Sequence, residues 1–403
     1  MNLGAGVHLT YCSNIHPGES WAEVRANFDR YVIAVRDRVM PEGDFGVGLR
    51  LSARAAAELS EPAALAEFRD FLGRSRMYVF TINGFAYGTF HGTRVKEDVY
   101  LPDWRDPQRL RYTDLLADLL AQLLPHPLPG DAEIEGSVST VPGAFKAALG
   151  GPHEVALMVE HLLRHVAHLV ELRSRTGRLI ALALEPEPAC FLETVTEVIT
   201  FFERELHGPA AQRRTMELTG LDRAAAARAL HDHLGVCLDL CHAAVEFENA
   251  ADCVQRLAQA GIRVHKMQIS AGLRLPTLDA EALAALKRFD DPVYLHQVVE
   301  QGPGGLVRFT DLPEALASLQ GSTADREWRV HFHVPIFLDR LAPFASTQSF
   351  IREVLAIHRA GPVSSHLEVE TYTWDVLPEP FRSGAVDEAV ARELAWVQTE
   401  LAA

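Results

Sequence analysis

Four apolar runs, each stopping on a polar side chain able to bind a cation, constrain this chain more than any other feature. Leu179–Pro188 (LIALALEPEP) ends in Glu185, and Pro186 cannot extend a central ladder. In Val236–Ala243 (VCLDLCHA), Val236 and Leu238 alternate with Cys237 and Asp239. Asp239 therefore points away from the leucine face, and His242 falls in the turn that follows. Val264–Gly272 (VHKMQISAG) puts Lys266, Gln268 and Ser270 on one face, and His366–Trp374 (HLEVETYTW) does the same for Glu368 and Glu370. One glutamate at a strand end is ordinarily a solvated residue or a helix cap. Four such ends, separated by helix-length sequence, fit an α/β fold of the (β/α)8 TIM-barrel type, whose site is assembled at the C-terminal ends of several strands.

A walk along the chain supplies eight barrel strands: Val7–Tyr11, Val47–Leu51, Tyr78–Ile82, Ile134–Ser139, Leu179–Leu184, Val236–Leu240, Val264–Ile269 and Leu367–Thr371. The first leads to Asn14 and His16, then to a helix capped by Ser20 with Glu23 in its first turn. The third opens into a glycine-rich loop carrying Asn83 and His91. The alanine- and arginine-rich stretch Leu206–His233 should be helical. We expect one domain over 1–403, with an insertion at about 272–340 that carries strand-like runs at Val293–Val299 and Trp328–Phe337.

Composition narrows the function classes. Acidic residues number 54 against 38 basic ones, a formal net charge of −16, and no basic cluster stands near the proposed site loops. That balance disfavours a nucleic-acid partner, which needs lysine and arginine to neutralise phosphates. No apolar run reaches the roughly 18 residues of a membrane span. Five cysteines without disulfide-like spacing, and an N-terminus lacking a signal core, suggest a cytoplasmic protein; a homodimer is compatible with the sequence. Cys237 and Cys241 flank Asp239, but buried structural thiols account for them better than zinc ligands do. His161, His165 and His168 share one helical face, read here as partly exposed, with no converging carboxylate.

The segment GVCLDLCHA (Gly235–Ala243) resembles the Asp-x-x-His segment of endonuclease IV. LEPEP, MQISAG and LEVET resemble the metal-bearing strand ends of the wider xylose-isomerase-like superfamily, which includes hydroxypyruvate isomerases and ketose 3-epimerases. HLTYCSNIHPGESW (His8–Trp21) and HLEVETYTWDVLP (His366–Pro378) resemble a narrower group, the xylose-isomerase-like metabolite-traffic proteins of the Ebo gene cluster. The resemblance implies one divalent ion (Mn²⁺, Mg²⁺, Co²⁺ or Zn²⁺) held by Glu185, Asp239, Gln268 and Glu370, with His242 and His333 as ancillary ligands. Gln268 stands where the nuclease has histidine, and His331 replaces the aspartate of its Asp-x-His pair, so a three-zinc centre is not expected.

The implied chemistry is isomerisation or epimerisation of a small sugar, sugar phosphate or cyclitol-like polyol in a metabolite pathway. A cation holding both oxygens of an α-hydroxy carbonyl acidifies the C–H between them and stabilises the enediolate. Glu185 and Glu370, from different sides of the ring, are the candidate acid and base. Xylose isomerases proper carry a lysine where this chain has Glu187, which favours proton transfer over a hydride shift. Asn14, His16, Asn83, His91, Lys266 and Trp374 are candidate substrate contacts, with Phe85 a further stacking surface. Two other readings stand beside it: a metabolite carrier without turnover, which nothing in the residues excludes, and an endonuclease-IV-like phosphodiesterase, which the net acidity and Gln268 argue against.

Overall fold

The computed structural model describes residues 1–91, 94–125, 133–320, 323–378, 382 and 384–403. Eight parallel strands form the frame: β1 (Val7–Tyr11), β2 (Phe45–Arg50), β3 (Met77–Asn83), β4 (Gly136–Thr140), β5 (Ile180–Leu184), β6 (Leu234–Asp239), β7 (Arg263–Ile269) and β8 (His366–Val369). Neighbours follow chain order from β2 to β8, and β8 pairs in parallel with β1. A parallel bridge between Cys12 and Gly48 joins β1 to β2 and closes the ring. The architecture is the (β/α)8 barrel.

All eight expected strands are present, with shifted ends. The second begins at Phe45, two residues early, and the fourth at Gly136, two residues late. The sixth stops at Asp239 rather than Leu240, because Leu240–Val245 is a short helix whose first turn Asp239 caps by accepting from the His242 backbone N–H. The eighth stops at Val369, so Glu370 lies one residue beyond the strand, where its N–H still donates to the Ile269 carbonyl. Ser20 and Glu23 form a full capping box at the helix Trp21–Asn27. The Leu206–His233 stretch holds two helices, Pro209–Thr219 and Arg223–His233.

Between β7 and β8 stands a six-stranded antiparallel sheet, ordered Gly305–Phe309, Val298–Gly302, Glu327–Val334, Ala271–Leu275, Phe344–Ser346 and Arg340–Leu341. The expected strand at Val293–Val299 starts late, at Val298. Ala271–Leu275 follows β7 with only Ser270 between, so one line of chain serves both sheets. Among the described residues no helix is long and apolar enough to cross a membrane. The five cysteines are free and buried.

The histidines of the helix Pro152–Thr176 line a seam: His165 is buried, whereas His161 and His168 stay partly exposed, as expected. His161 Nδ1 donates to the Trp104 carbonyl, while His165 and His168 bond Asp114 and Asp118 of the facing helix Pro107–Leu123. His233 donates to the Ile180 carbonyl at the opposite end of the barrel from the strand tips.

Candidate metal centre at the strand tips

Register explains the convergence. In the parallel ladder Asp239 lies beside Gln268, and Gln268 beside Glu368, so the three occupy one level of the ring and turn the same way. Glu185 follows β5 and Glu370 follows β8, each one residue beyond its strand. Donor atoms of Glu185, Asp239 and Glu370 lie within 4.8 Å of one another, and all three side chains are buried.

Three carboxylates brought together out of water need compensation, and the protein supplies only part of it. Asp239 Oδ1 accepts from Ser270 Oγ at 2.7 Å and from the His242 N–H at 2.9 Å. Glu370 Oε1 accepts from Asn14 Nδ2 at 2.7 Å and Asn83 Nδ2 at 3.1 Å. Glu185 Oε2, Asp239 Oδ2, both amide atoms of Gln268 and His333 Nε2 are buried without a hydrogen-bond partner. Burial, then the charges of Glu370 and Asp239, raises the Glu185 carboxyl well above the usual carboxylate range. Glu370 is pushed up to about 8 by burial, with Asp239 and Glu368 adding to the shift. Orphaned oxygens, an orphaned amide and mutual repulsion fit a bound divalent cation, held by Glu185, Asp239, Gln268 and Glu370.

One inserted strand, Glu327–Val334, carries His331 and His333 and completes one wall together with His242 of the short helix after β6. His333 Nδ1 donates to the Glu370 carbonyl at 2.9 Å, and burial lowers its pKa to about 4. His242 Nδ1 donates to the Pro186 carbonyl at 2.8 Å, and its Nε2 lies 3.9 Å from Asp239 Oδ2. His331 faces His242, its pKa driven well below the usual imidazole value by burial and by its histidine neighbours. His296 fills the insertion, bonded to Asp291 and to the His331 carbonyl.

Over these groups opens a cleft whose empty volume, counting its open mouth, is about 620 Å³. Asn14, Asn83, Glu185, His242 and Glu370 line it, as does Phe85. His331 lines it too, and its other walls include side chains that strand periodicity does not mark: Arg50, Glu187, Tyr100, Tyr294 and Tyr372. Their only advance signal is Glu187, which shares the LEPEP segment with Glu185. Glu187 accepts from the Tyr100 hydroxyl at 2.8 Å and from Gln297 Nε2 at 3.1 Å.

The remaining candidate substrate contacts lie elsewhere. His16 sits behind the first loop, bonded to the Tyr11 hydroxyl and stacked on Tyr31 with ring centroids 4.3 Å apart. His91 buttresses the cleft from outside, donating from Nε2 to the Asn14 carbonyl and accepting at Nδ1 from the Tyr294 hydroxyl. Trp374 packs in the main apolar core. Lys266 is fully buried below the site, 2.5 Å from Glu368 Oε2 as an ion pair off hydrogen-bond alignment. Burial opposes its charge, yet Glu368 and the other acidic groups hold its pKa above the ordinary lysine value. A lysine already neutralised inside the barrel is not placed to hold a phosphate in the cleft.

No family model matches the chain, and no curated protein sequence matches it significantly. Solved structures resemble its chain path over nearly the full length. It is similar to the 3-keto-D-glucoside 4-epimerase of E. coli at 13% identity, over 98% of this chain and 99% of that one, with a TM-score of 0.44. It is similar to the IOLI protein with a bound zinc atom at 10% identity, over 98% of each chain, with a TM-score of 0.45. It is also similar to a xylose isomerase domain protein of Alicyclobacillus acidocaldarius at 12% identity, over 98% of each chain, with a TM-score of 0.43. At such identities and scores, function rests on this chain's own side chains.

Proposed function

We propose that this chain is a divalent-metal-dependent isomerase or epimerase of a small sugar or cyclitol-like polyol. The convergence of Glu185, Asp239 and Glu370, with unpartnered Glu185 Oε2, Asp239 Oδ2 and Gln268 beside it, carries that reading. A cation in this set supplies Lewis acidity toward an α-hydroxy carbonyl and lowers the pKa of the carbon between its oxygens. Glu370, fixed by Asn14 and Asn83, and Glu185, three strands round the ring with β6 and β7 between, are the groups that take a proton from that carbon and return it. Phe85, Tyr100, Tyr294 and Tyr372 offer flat apolar surface to a sugar ring. The sequence resemblance to the Ebo-cluster proteins supports a place in metabolite biosynthesis or traffic.

Protein purified without chelator should carry metal, and Glu185→Gln and Asp239→Asn should each lower its occupancy, measured by elemental analysis. Incubated with its substrate in D₂O, the wild type should wash deuterium into the carbon beside the carbonyl, whereas a carrier would bind without exchange. A wild type that is metal-free and takes up neither Mn²⁺ nor Zn²⁺ overturns the proposal.

A further inference from the structure

Glu187 is a buried carboxylate that the proposed proton transfer leaves unused. Its side chain is 7% exposed, and that remaining surface opens onto the cleft it lines. Oε1 is occupied, accepting from the Tyr100 hydroxyl at 2.8 Å and from Gln297 Nε2 at 3.1 Å. Oε2 takes no hydrogen bond from any described residue, yet it is not sealed from solvent.

Both partners of Oε1 are neutral. His331 Nδ1 stands 3.5 Å from that oxygen but only 2.8 Å from Gln297 Oε1, which takes its proton. The amide is fixed in this sense because Gln297 Nε2 donates to the Pro188 carbonyl as well as to Glu187. Among the described residues no lysine or arginine pairs with Glu187. Arg50 and Lys96, which also reach the cleft, pair with Glu19 and Asp311 instead. A carboxylate taken out of water, with neutral donors on one oxygen and none on the other, is short of positive charge. The missing donor has to arrive with whatever fills the cleft.

A donor nitrogen of His242 lies within 4.8 Å of a Glu187 oxygen, and His242 Nε2 is 3.9 Å from Asp239 Oδ2. One small sugar can therefore reach from the carboxylate set to Glu187. Phe85, Tyr100 and Tyr372 line the same cleft, and aromatic faces attract a cation.

We propose that Glu187 Oε2 receives a protonated amine of the substrate, which is then an amino sugar or aminocyclitol with its α-hydroxy carbonyl on the metal. This subsite rests on the isomerase reading and narrows its substrate. An ammonium gives Oε2 a charge-assisted hydrogen bond, a hydroxyl gives a weaker one, and a phosphate is repelled.

The test uses matched ligands on the full chain loaded with Mn²⁺: D-glucose against D-glucosamine and kanosamine, scyllo-inositol against scyllo-inosamine, and D-glucose 6-phosphate as the anion. Calorimetry at pH 7 reads the affinities, and bound manganese is counted in the same samples. At least one amine should bind about tenfold tighter than its parent alcohol, and the phosphate should bind more weakly than glucose. Which pair shows the gain tells an amino sugar from an aminocyclitol. Glu187→Gln keeps an acceptor for Tyr100 and Gln297 but turns a donor toward the cleft. It should bring that amine level with its parent or below, with manganese content unchanged. Should the variant fail to fold, judged by its melt, the wild-type order decides alone. Amines no tighter than their parents, a phosphate that binds best, an amine preference that survives Glu187→Gln, or no binding by any ligand overturns the subsite. Where manganese is retained, the isomerase reading outlives that result. A chain that takes up neither Mn²⁺ nor Zn²⁺ overturns the isomerase reading, and the amine preference of the metal-free protein then decides the subsite by itself.

Discussion

Replacing Lys266 with methionine should withdraw the cation from the middle of the barrel and leave the Glu368 carboxylate stranded. Both side chains have no exposed surface, and Nζ stands 2.5 Å from Oε2. The lysine's other contact is Ser139 Oγ at 3.4 Å. Gly48 packs so tightly there that an added Cβ would lie 1.8 Å from Glu368 Oε1, so the carboxylate has little room to turn toward water. Removing one member of a buried pair costs about 3–5 kcal/mol, because the other charge stays uncompensated. Unfolding entropy near 2.1 cal/mol/K per residue gives about 0.8 kcal/mol/K for 403 residues, so a loss of about 4 kcal/mol lowers Tm by about 5 °C. Scanning calorimetry with chelator present, to keep metal effects out, would measure it. Lys266→Met/Glu368→Gln should recover most of the loss, since no unpaired charge then remains. A single variant melting within about 1 °C of wild type, or a double variant as damaged as the single, would refute the reasoning.

Two further outcomes follow from the site. Glu370, with its pKa near 8 in the folded, metal-free protein, holds a proton at pH 7 that a metal ligand must give up. Metal binding at pH 7 should therefore release protons, with apparent affinity rising as pH climbs toward 8; calorimetry in buffers of different ionisation enthalpy reads the release, and its absence contradicts the assignment. The described cleft-lining residues include two permanent cations, and both are engaged. Arg50 donates to the Gly18 and Gly88 carbonyls and pairs with Glu19, and Lys96 pairs with Asp311. Neutral polyols should raise Tm of the metal-loaded protein more than their phosphates at equal concentration, and the reverse order would show that a phosphate is recognised.

The frame was legible in the sequence because barrel strands are buried on both faces and stop abruptly. Runs such as LIALAL and VCLDL declare themselves, and errors of a residue or two arise where neighbours decide the end, as Asp239 does by capping the helix that replaces the last expected strand residue. Period two sufficed to place Glu185, Asp239, Gln268 and Glu370 at one end of the ring. It could not say which inward residue sits above which. Lys266 and Gln268 share a face, yet the lower of them meets Glu368 in the packed interior, not the cleft. His16 and Trp374 were misplaced for another reason: partners far away in sequence, Tyr31 for one and the apolar core for the other, decide where they turn. The cleft walls at Tyr100, Tyr294 and Tyr372 come from single 3-10 turns and a loop, too short to carry a period to read.

The inserted sheet leaves the barrel at Ala271 and returns at Ser346, and these ends lie side by side, with Ser346 paired to Leu273 and Ala345 to Arg274. A segment whose entrance and exit share a doorway behaves as a cassette. The barrel keeps its carboxylates whatever the cassette contains, whereas His331 and His333 travel with it. Exchanging the cassette, in the laboratory or over evolutionary time, would change the donors above a fixed floor, so one scaffold could acquire new ligand preferences without refolding the ring beneath.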